Sequence, residues 1–241
     1  VRLTVLGGVG AWPTASQACS GYLVEHDGFT LLVDPGYSTF PALQALMPAS
    51  AVDAVLVSHG HPDHCADLNP LLRARALGGS APVLPLYAPE GALDRVLALD
   101  QVRLDSAYSV HPVERAFEVG PFRVDTYDLP HFVPNAGLRL TAGGRVLAYT
   151  GDTGPSPVLL DLARDADVFV AEATFARQVA PADNAPYLST AVQAGANADR
   201  AGAGRLVLAH LWPGSDPAEY LEAADYPGDV DVAAPGLVID L

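Results

Sequence analysis

The sequence predicts an α/β sandwich, with two β-sheets packed face to face and helices on the outer faces. Three observations point there. Short β-rich runs occur in both halves of the chain, each with helical patterns attached. Half of the residues are hydrophobic, which over 241 residues suits one compact domain spanning residues 1–241. Aromatic residues are only 7%, whereas Gly and Pro number 22 and 21, which suits close helix-on-sheet packing and many turns.

The elements follow in order. Arg2–Leu6, Tyr22–Glu25 and Thr30–Val33 read as strands separated by Gly and Pro. Asp27-Gly28 between the second and third is a hairpin-turn signal. Ala54–Ser58 is a short, nearly all-apolar run, as expected of a strand buried on both faces. Val83–Tyr87 is a further strand candidate, and Phe40–Leu46, Leu68–Leu77 and Gly91–Leu99 carry apolar residues at helical spacing. Two hairpins come next, Phe117–Val119 with Phe122–Tyr127 about Gly120-Pro121, and Leu138–Thr141 with Arg145–Tyr149 about Ala142-Gly143-Gly144. The last third alternates helical and strand patterns. Pro157–Ala163, Ser189–Ala201 and Pro217–Ala224 read as helices, Val168–Ala171 and Leu206–Ala209 as strands, and Leu237–Leu241 as a final edge strand.

The formal net charge is −15, and all 13 basic residues are arginine. Such a chain repels phosphate backbones at long range, which argues against a nucleic-acid polymer as partner. The two cysteines, Cys19 and Cys65, form no CxxC pair and fit free thiols in a reducing compartment. Val1 opens no cationic, apolar leader, and no apolar run of about 18 residues occurs. The expectation is a cytoplasmic protein without a membrane partner, acting on a small molecule.

The central signal is Ser58-His59-Gly60-His61-Pro62-Asp63-His64, directly after the buried run Ala54–Val57. Four ligand-type side chains fall within six residues. Imidazole suits zinc, iron and similar ions, and carboxylate neutralises charge. One tetrahedral ion cannot readily take all four from so short a loop, so two ions, each completed from elsewhere, are expected. His131 follows the strand Phe122–Tyr127, Asp152 follows Arg145–Tyr149, and His210 follows Leu206–Ala209. Loops leaving strand ends gather at one rim of packed sheets, where sites form.

The HxHxDH pattern after a buried strand resembles the signature of the metallo-β-lactamase superfamily. The resemblance extends over nearly the whole chain, through Leu3–Gly8, Ser20–Leu23, Leu32–Gly36, Leu129-Pro130-His131, Tyr149–Thr153 and Leu208–Leu211. It implies a four-layer αββα sandwich of two mixed β-sheets. It implies two divalent metal ions, with zinc expected and Mn or Fe as alternatives. One ion would take His59, His61 and His131, the other Asp63, His64 and His210, with Asp152 between them. Such a pair can share an activating hydroxide that attacks the substrate. Asp34 is a candidate for orienting an imidazole, or a simple turn residue before Pro35-Gly36. His26 and His111 lie outside the matching positions and are expected at the surface. Cys65 is expected to be buried as a small apolar group. The loops 13–20 and 178–187 border the site by resemblance.

Asp152 argues against true β-lactamases, where a Cys commonly serves the second metal. Val168–Phe175, reading Val-Phe-Val-Ala-Glu-Ala-Thr-Phe, together with Gly151-Asp152-Thr153-Gly154, resembles the phosphodiesterase branch. That branch holds transfer-RNA 3′-end processing ribonucleases and smaller enzymes of cyclic nucleotides. Glu172 matches its Glu-Ala-Thr element and joins Asp63 and Asp152 as a carboxylate with an expected part in catalysis. A helix-capping or salt-bridge role for Glu172 is the alternative. The sequence departs from the ribonucleases where their His-x-Thr element falls on Leu188-Ser189-Thr190, since Leu188 cannot donate a proton. No long basic, Gly-rich insertion is present to clamp transfer RNA. The expected function is a dinuclear metal-dependent hydrolase, foremost a phosphodiesterase of a small phosphodiester such as a cyclic nucleotide. The alternatives are a lactonase, thioesterase or aryl-ester hydrolase on the same site, and a non-enzymatic binding protein on a metal scaffold. Relatives in this branch often pair, so the resemblance also implies a homodimer.

Overall fold

The computed structural model describes residues 1–79, 81–100, 104 and 106–241. The first sheet takes β1 (Arg2–Gly7), β2 (Gly21–His26), β3 (Phe29–Val33), β4 (Ala54–Leu56), β5 (Leu84–Ala88) and β6 (Tyr108–Pro112). The second takes β7 (Ala116–Val119), β8 (Phe122–Leu129), β9 (Asn135–Ala142), β10 (Arg145–Tyr149), β11 (Val168–Glu172), β12 (Arg205–Ala209) and β13 (Asp229–Val232). The last strand, β14 (Val238–Asp240), returns to the first sheet beside β1. Both sheets are mixed and share one plan, antiparallel from β14 to β3 and parallel from β3 to β6, then antiparallel from β7 to β10 and parallel from β10 to β13. The αββα sandwich expected from the sequence is the fold observed.

Strand composition explains the layering. Alternate side chains of a strand point to opposite faces. Leu31 and Val33 of β3, Val168 and Val170 of β11, and Val207 of β12 enter the core between the sheets. Leu32, Phe169 and Leu208 point outward to helices. Both faces are covered, which is why these strands are apolar throughout. Over the first sheet lie α1 (Thr39–Leu46), α2 (Pro62–Cys65), α3 (Leu68–Leu77) and α4 (Asp94–Leu97), packed through a leucine-rich cluster. Over the second lie α5 (Leu159–Ala163), α6 (Ala191–Ala201) and α7 (Pro217–Ala224), packed largely through alanine. Helix α6 starts with a reciprocal cap, in which Thr190 accepts from the Gln193 amide and the Gln193 side chain accepts from the Thr190 amide.

Several sequence readings are corrected. The helix over Gly91–Leu99 shrinks to Asp94–Leu97, and the one over Ser189–Ala201 starts at Ala191. The run Ala54–Ser58 is strand only to Leu56, and Val83–Tyr87 shifts to Leu84–Ala88. Strands β6 (Tyr-Ser-Val-His-Pro) and β13 (Asp-Val-Asp-Val) alternate polar and apolar residues, but each is short and lies at a sheet edge with little buried, and both escaped the sequence reading. His111 is exposed as expected, but His26 is half-buried, packed on Phe122 and against Gly143. Among the described residues no helix is long and apolar enough to cross a membrane.

Strand direction sets where function can gather. Two antiparallel steps make β8 run with β10, and β10, β11 and β12 are mutually parallel. Their C-terminal ends therefore share one rim. In the first sheet β1, β3 and β4 likewise run together. A bridge between Val9 and Leu211, just past β1 and β12, ties the two rims to each other.

Candidate metal centre

The tight motif is built from a strand end and a helix start. After β4 the chain passes through Ser58 and His59, and Pro62 opens α2 with its fixed φ and no amide hydrogen to leave unsatisfied. His59 and His61 thus precede the helix, while Asp63 and His64 sit on its first turn. Each of the other three ligand-type residues follows a strand of the second sheet, His131 after β8, Asp152 after β10 and His210 after β12.

The structure brings all seven together in two groups that share Asp152. In the first, His59 Nε2 and His131 Nε2 each lie 3.1 Å from His61 Nδ1. Asp152 Oδ2 is 3.7 Å from His59 Nε2 and 3.6 Å from His131 Nε2. In the second, Asp63 Oδ2 lies 3.2 Å from His210 Nε2 and 3.7 Å from His64 Nε2. Asp152 reaches both imidazoles there, Oδ1 at 3.2 Å from His64 Nε2 and Oδ2 at 3.1 Å from His210 Nε2. The first group is partly open at His61 and His131, whereas all four residues of the second are buried.

These residues fit divalent cations. Tetrahedral zinc with bonds of about 2.0–2.1 Å sets its ligand atoms roughly 3.3 Å apart. In the first group His59 Nε2 and His131 Nε2 each lie near that spacing from His61 Nδ1, at 3.1 Å. Buried polar groups are almost always hydrogen-bonded, yet His64 Nε2 and Asp152 Oδ1 are buried without a hydrogen-bond partner and face each other. Nitrogen and carboxylate donors together suit Zn, Mn or Fe.

Outer contacts aim the rings. Asp34 is fully buried and accepts four hydrogen bonds, from Ser58 N at 2.7 Å, Ser58 Oγ at 2.6 Å, His64 Nδ1 at 2.8 Å and Tyr149 Oη at 2.7 Å. It is both readings at once, since it occupies a left-handed turn (φ 50°) and orients His64. His59 Nδ1 donates to Ser58 Oγ at 3.0 Å, and His131 Nδ1 donates to the Tyr187 carbonyl at 3.0 Å. His210 Nδ1 donates to Thr174 Oγ1 at 2.9 Å, which donates to Glu172 Oε1 at 2.5 Å. In each case Nδ1 is the outward donor, so Nε2 is left to face the cluster.

Glu172 ends β11, buried, and also accepts from the Thr153 amide and from Ser189 N at 3.1 Å. It therefore caps no helix. It ties the Asp152 loop to Thr174 and to the start of α6, and through Thr174 Oγ1 it is linked to His210 Nδ1. Asp63 Oδ2 accepts from the Ala11 amide at 2.7 Å. The backbone of Gly10 runs over His210, where a Cβ would collide with the imidazole. His210 itself adopts a left-handed φ of 59°, uncommon for a non-glycine residue and of the kind stored at functional sites.

Electrostatics divide the cluster. Burial pushes His59, His61 and His131 below the ordinary imidazole value, so these rings are neutral donors of lone pairs. Burial opposes protonation of His64 and His210 too, but Asp152 and Asp63 outweigh it and raise both. Burial would raise the Asp63 and Asp152 carboxyls, yet His64 and His210 hold them well below the carboxylate range. The field that would stabilise an imidazolium there attracts any cation. Burial, followed by the Asp152 charge, pushes Glu172 up to about 8. Cys65 is buried against the leucine cluster and its thiol is pushed up to about 12 by burial, so it behaves as the small apolar group expected.

Leu188 is buried and offers no proton donor, and its neighbour Tyr187 reaches the site through its carbonyl. Of the two loops expected to border the centre, 178–187 does so at Tyr187. The partners missed by sequence reasoning are Ser58, Tyr149, Thr174, the Ala11 amide and the Tyr187 carbonyl. Ser58 and Thr174 lie inside quoted motifs and were findable, while Tyr149 reads as one more apolar strand residue.

Residues 30–211, a span that holds all seven ligand-type residues, match the family described as "Beta-lactamase superfamily domain". A probable metallo-hydrolase of Bacillus subtilis, YhfI, is 31% identical over 215 residues, covering 88% of this chain and 87% of that protein. Its crystal structure superposes with a TM-score of 0.89 at 29% identity, covering 99% of both chains. A ribonuclease Z of Kineococcus radiotolerans is 30% identical over 261 residues, covering 87% of this chain and 83% of its own. The crystal structure of a diphosphatase from the PhnP family matches with a TM-score of 0.78 at 22% identity, covering 100% of this chain and 97% of its own. At that identity the likeness shows the fold.

Proposed function

This chain belongs to the beta-lactamase superfamily and is a metal-dependent hydrolase, and from that premise we propose that it is a dinuclear phosphodiesterase of small substrates. The observation that carries this reading is the sharing of Asp152 between two complete ligand groups. His59, His61 and His131 would hold one ion, Asp63, His64 and His210 the other, and Asp152 both, with zinc the ion best suited to the nitrogen-rich group. Two such ions supply a water-derived nucleophile at neutral pH and offset charge growing on phosphoryl oxygens.

The chain's own residues supply the rest. The imidazoles of the first group stay neutral. Asp63, kept ionised beside His64 and His210, would hold its ion and orient the attacking water as a hydrogen-bond acceptor. Glu172 keeps His210 in register through Thr174. The support for phosphorus rather than carbon chemistry is the Glu-Ala-Thr element and the 30% identity to a ribonuclease Z. The support for a small substrate is the net charge of −15, which disfavours a long phosphate backbone. With no side-chain donor at Leu188, good leaving groups should be favoured.

Bis-p-nitrophenyl phosphate is the direct test. Turnover should disappear with a chelator and return with Zn²⁺ or Mn²⁺. Turnover of lactones or thioesters by the metal-loaded protein, with none of the phosphodiester, would overturn the phosphodiesterase assignment.

A further inference from the structure

The chain has two tryptophans, Trp12 and Trp212, 200 residues apart in sequence. They meet close in sequence to the buried ligand group, with ring centroids 5.1 Å apart and planes at 83°. Phe175 stacks on Trp212 at 5.7 Å and 17°. Tryptophan is highly buried on average, yet these two are 48% and 40% exposed. Their backbones are tied to the buried ligand group. Trp12 follows Ala11, whose amide donates to Asp63, and Trp212 lies two residues past His210, its own amide donating to the Thr174 carbonyl at 3.2 Å. A second aromatic pair, Phe132 and Tyr187, lies beside His131, but it has a structural task, since Phe132 packs on both rings and the Tyr187 carbonyl orients the imidazole. No ligand is aimed by the tryptophan side chains.

We propose that the Trp12–Trp212 pair is a platform for the nucleobase of the phosphodiester, one ring stacking on the base and the perpendicular ring meeting its edge, so that the substrate class is a small nucleotide. The inference rests on the phosphodiesterase reading above. Charge supports this occupant. A chain at −15 gains little from long-range attraction of a phosphodiester anion, so uncharged contact adds to the short-range hold of the ions. Stacking of a base on an aromatic ring provides such contact, sequence-tolerant and independent of charge. The platform's backbone is joined to Asp63 and His210, so a base held there keeps its phosphate within reach of the ions.

Two substrates with one leaving group test this, thymidine 5′-monophosphate p-nitrophenyl ester and methyl p-nitrophenyl phosphate. The protein should prefer the thymidine ester, and Trp12→Ala or Trp212→Ala should lower its kcat/KM about 10-fold more than that of the methyl ester, chiefly through KM. Trp12→Phe should restore most of the preference. Equal losses on both esters, or no preference in the unaltered protein, would overturn the platform and leave the phosphodiesterase reading standing. Absence of turnover on both esters would count against that reading, and a binding measurement then decides the platform alone. Both tryptophans lie in the cluster, so intrinsic fluorescence reports on it directly. Adenosine 5′-monophosphate should quench the emission and ribose 5-phosphate should not. Equal effects of the two would refute stacking. A dimer that falls apart in Trp12→Ala, with the ester preference unchanged, would assign the rings to an interface between copies instead.

Discussion

The two ends of the metal centre are built differently. The end formed by His59, His61 and His131 is partly open and carries only its share of Asp152 as negative charge. The end formed by Asp63, His64 and His210 is buried and holds a carboxylate of its own besides Asp152. The buried end also has the deeper supports, Asp34 with Tyr149 behind His64, and Thr174 with Glu172 behind His210, while Ser58 carries Asp34's support across to His59 of the open end. At the open end His61 has no outer hydrogen-bond partner among the described residues. The difference teaches that one fold can make an acidic, rigid seat and a neutral, accessible one side by side. The first suits retention of an ion, and the second suits exchange with solvent and substrate.

The largest effect should come from the residue both ends share. Asp152→Ala removes a ligand from each group, so activity should fall by more than the roughly 100-fold that loss of an outer partner costs. Metal content and bis-p-nitrophenyl phosphate turnover check this; unaltered turnover would remove Asp152 from the centre of the scheme. Graded chelation compares the ends directly. Half of the metal should leave before the other half, because the buried end adds the Asp63 charge to its imidazoles whereas the open end has only its share of Asp152. A single concerted loss would erase the distinction.

Smaller changes sharpen the comparison. Asp34→Ala takes a hydrogen bond directly from His64 and loosens Ser58 behind His59, so metal affinity should drop by about 10–100-fold at the buried end and by less at the open end. An equal drop at both ends would mean that the route through Ser58 matters as much as the direct bond to His64. Thr174→Val breaks one link behind His210, so a drop near the lower limit of that range, about 10-fold, is expected. Metal titration should place it at the buried end alone, and an equal effect on the first group would contradict the route from Glu172 through Thr174.

The same contrast separates what was legible. The first-sheet ligands were plain because four of them lie within six residues after an apolar strand, a pattern that chance seldom makes. His131, Asp152 and His210 are single residues after single strands. They became convincing only through the likeness of their flanking motifs to a family. Glu172 was found for its motif, but its place in the wall, engaged by Thr153, Thr174 and Ser189, had no local signal. The paired tryptophans had none either.

By itself the sequence determined the apolar runs buried on both faces, the hairpin turns and the four ligand-type residues of the short motif. These are local properties, set by side-chain period, turn chemistry and the spacing of one short motif. Only the tertiary structure decided that Asp34 and Tyr149, 115 residues apart, close one hydrogen-bond network, that Glu172 reaches His210 through Thr174, and that Trp12 meets Trp212. Those contacts depend on strand direction and on how two sheets pack, and packing is a property of the whole chain that no single segment encodes.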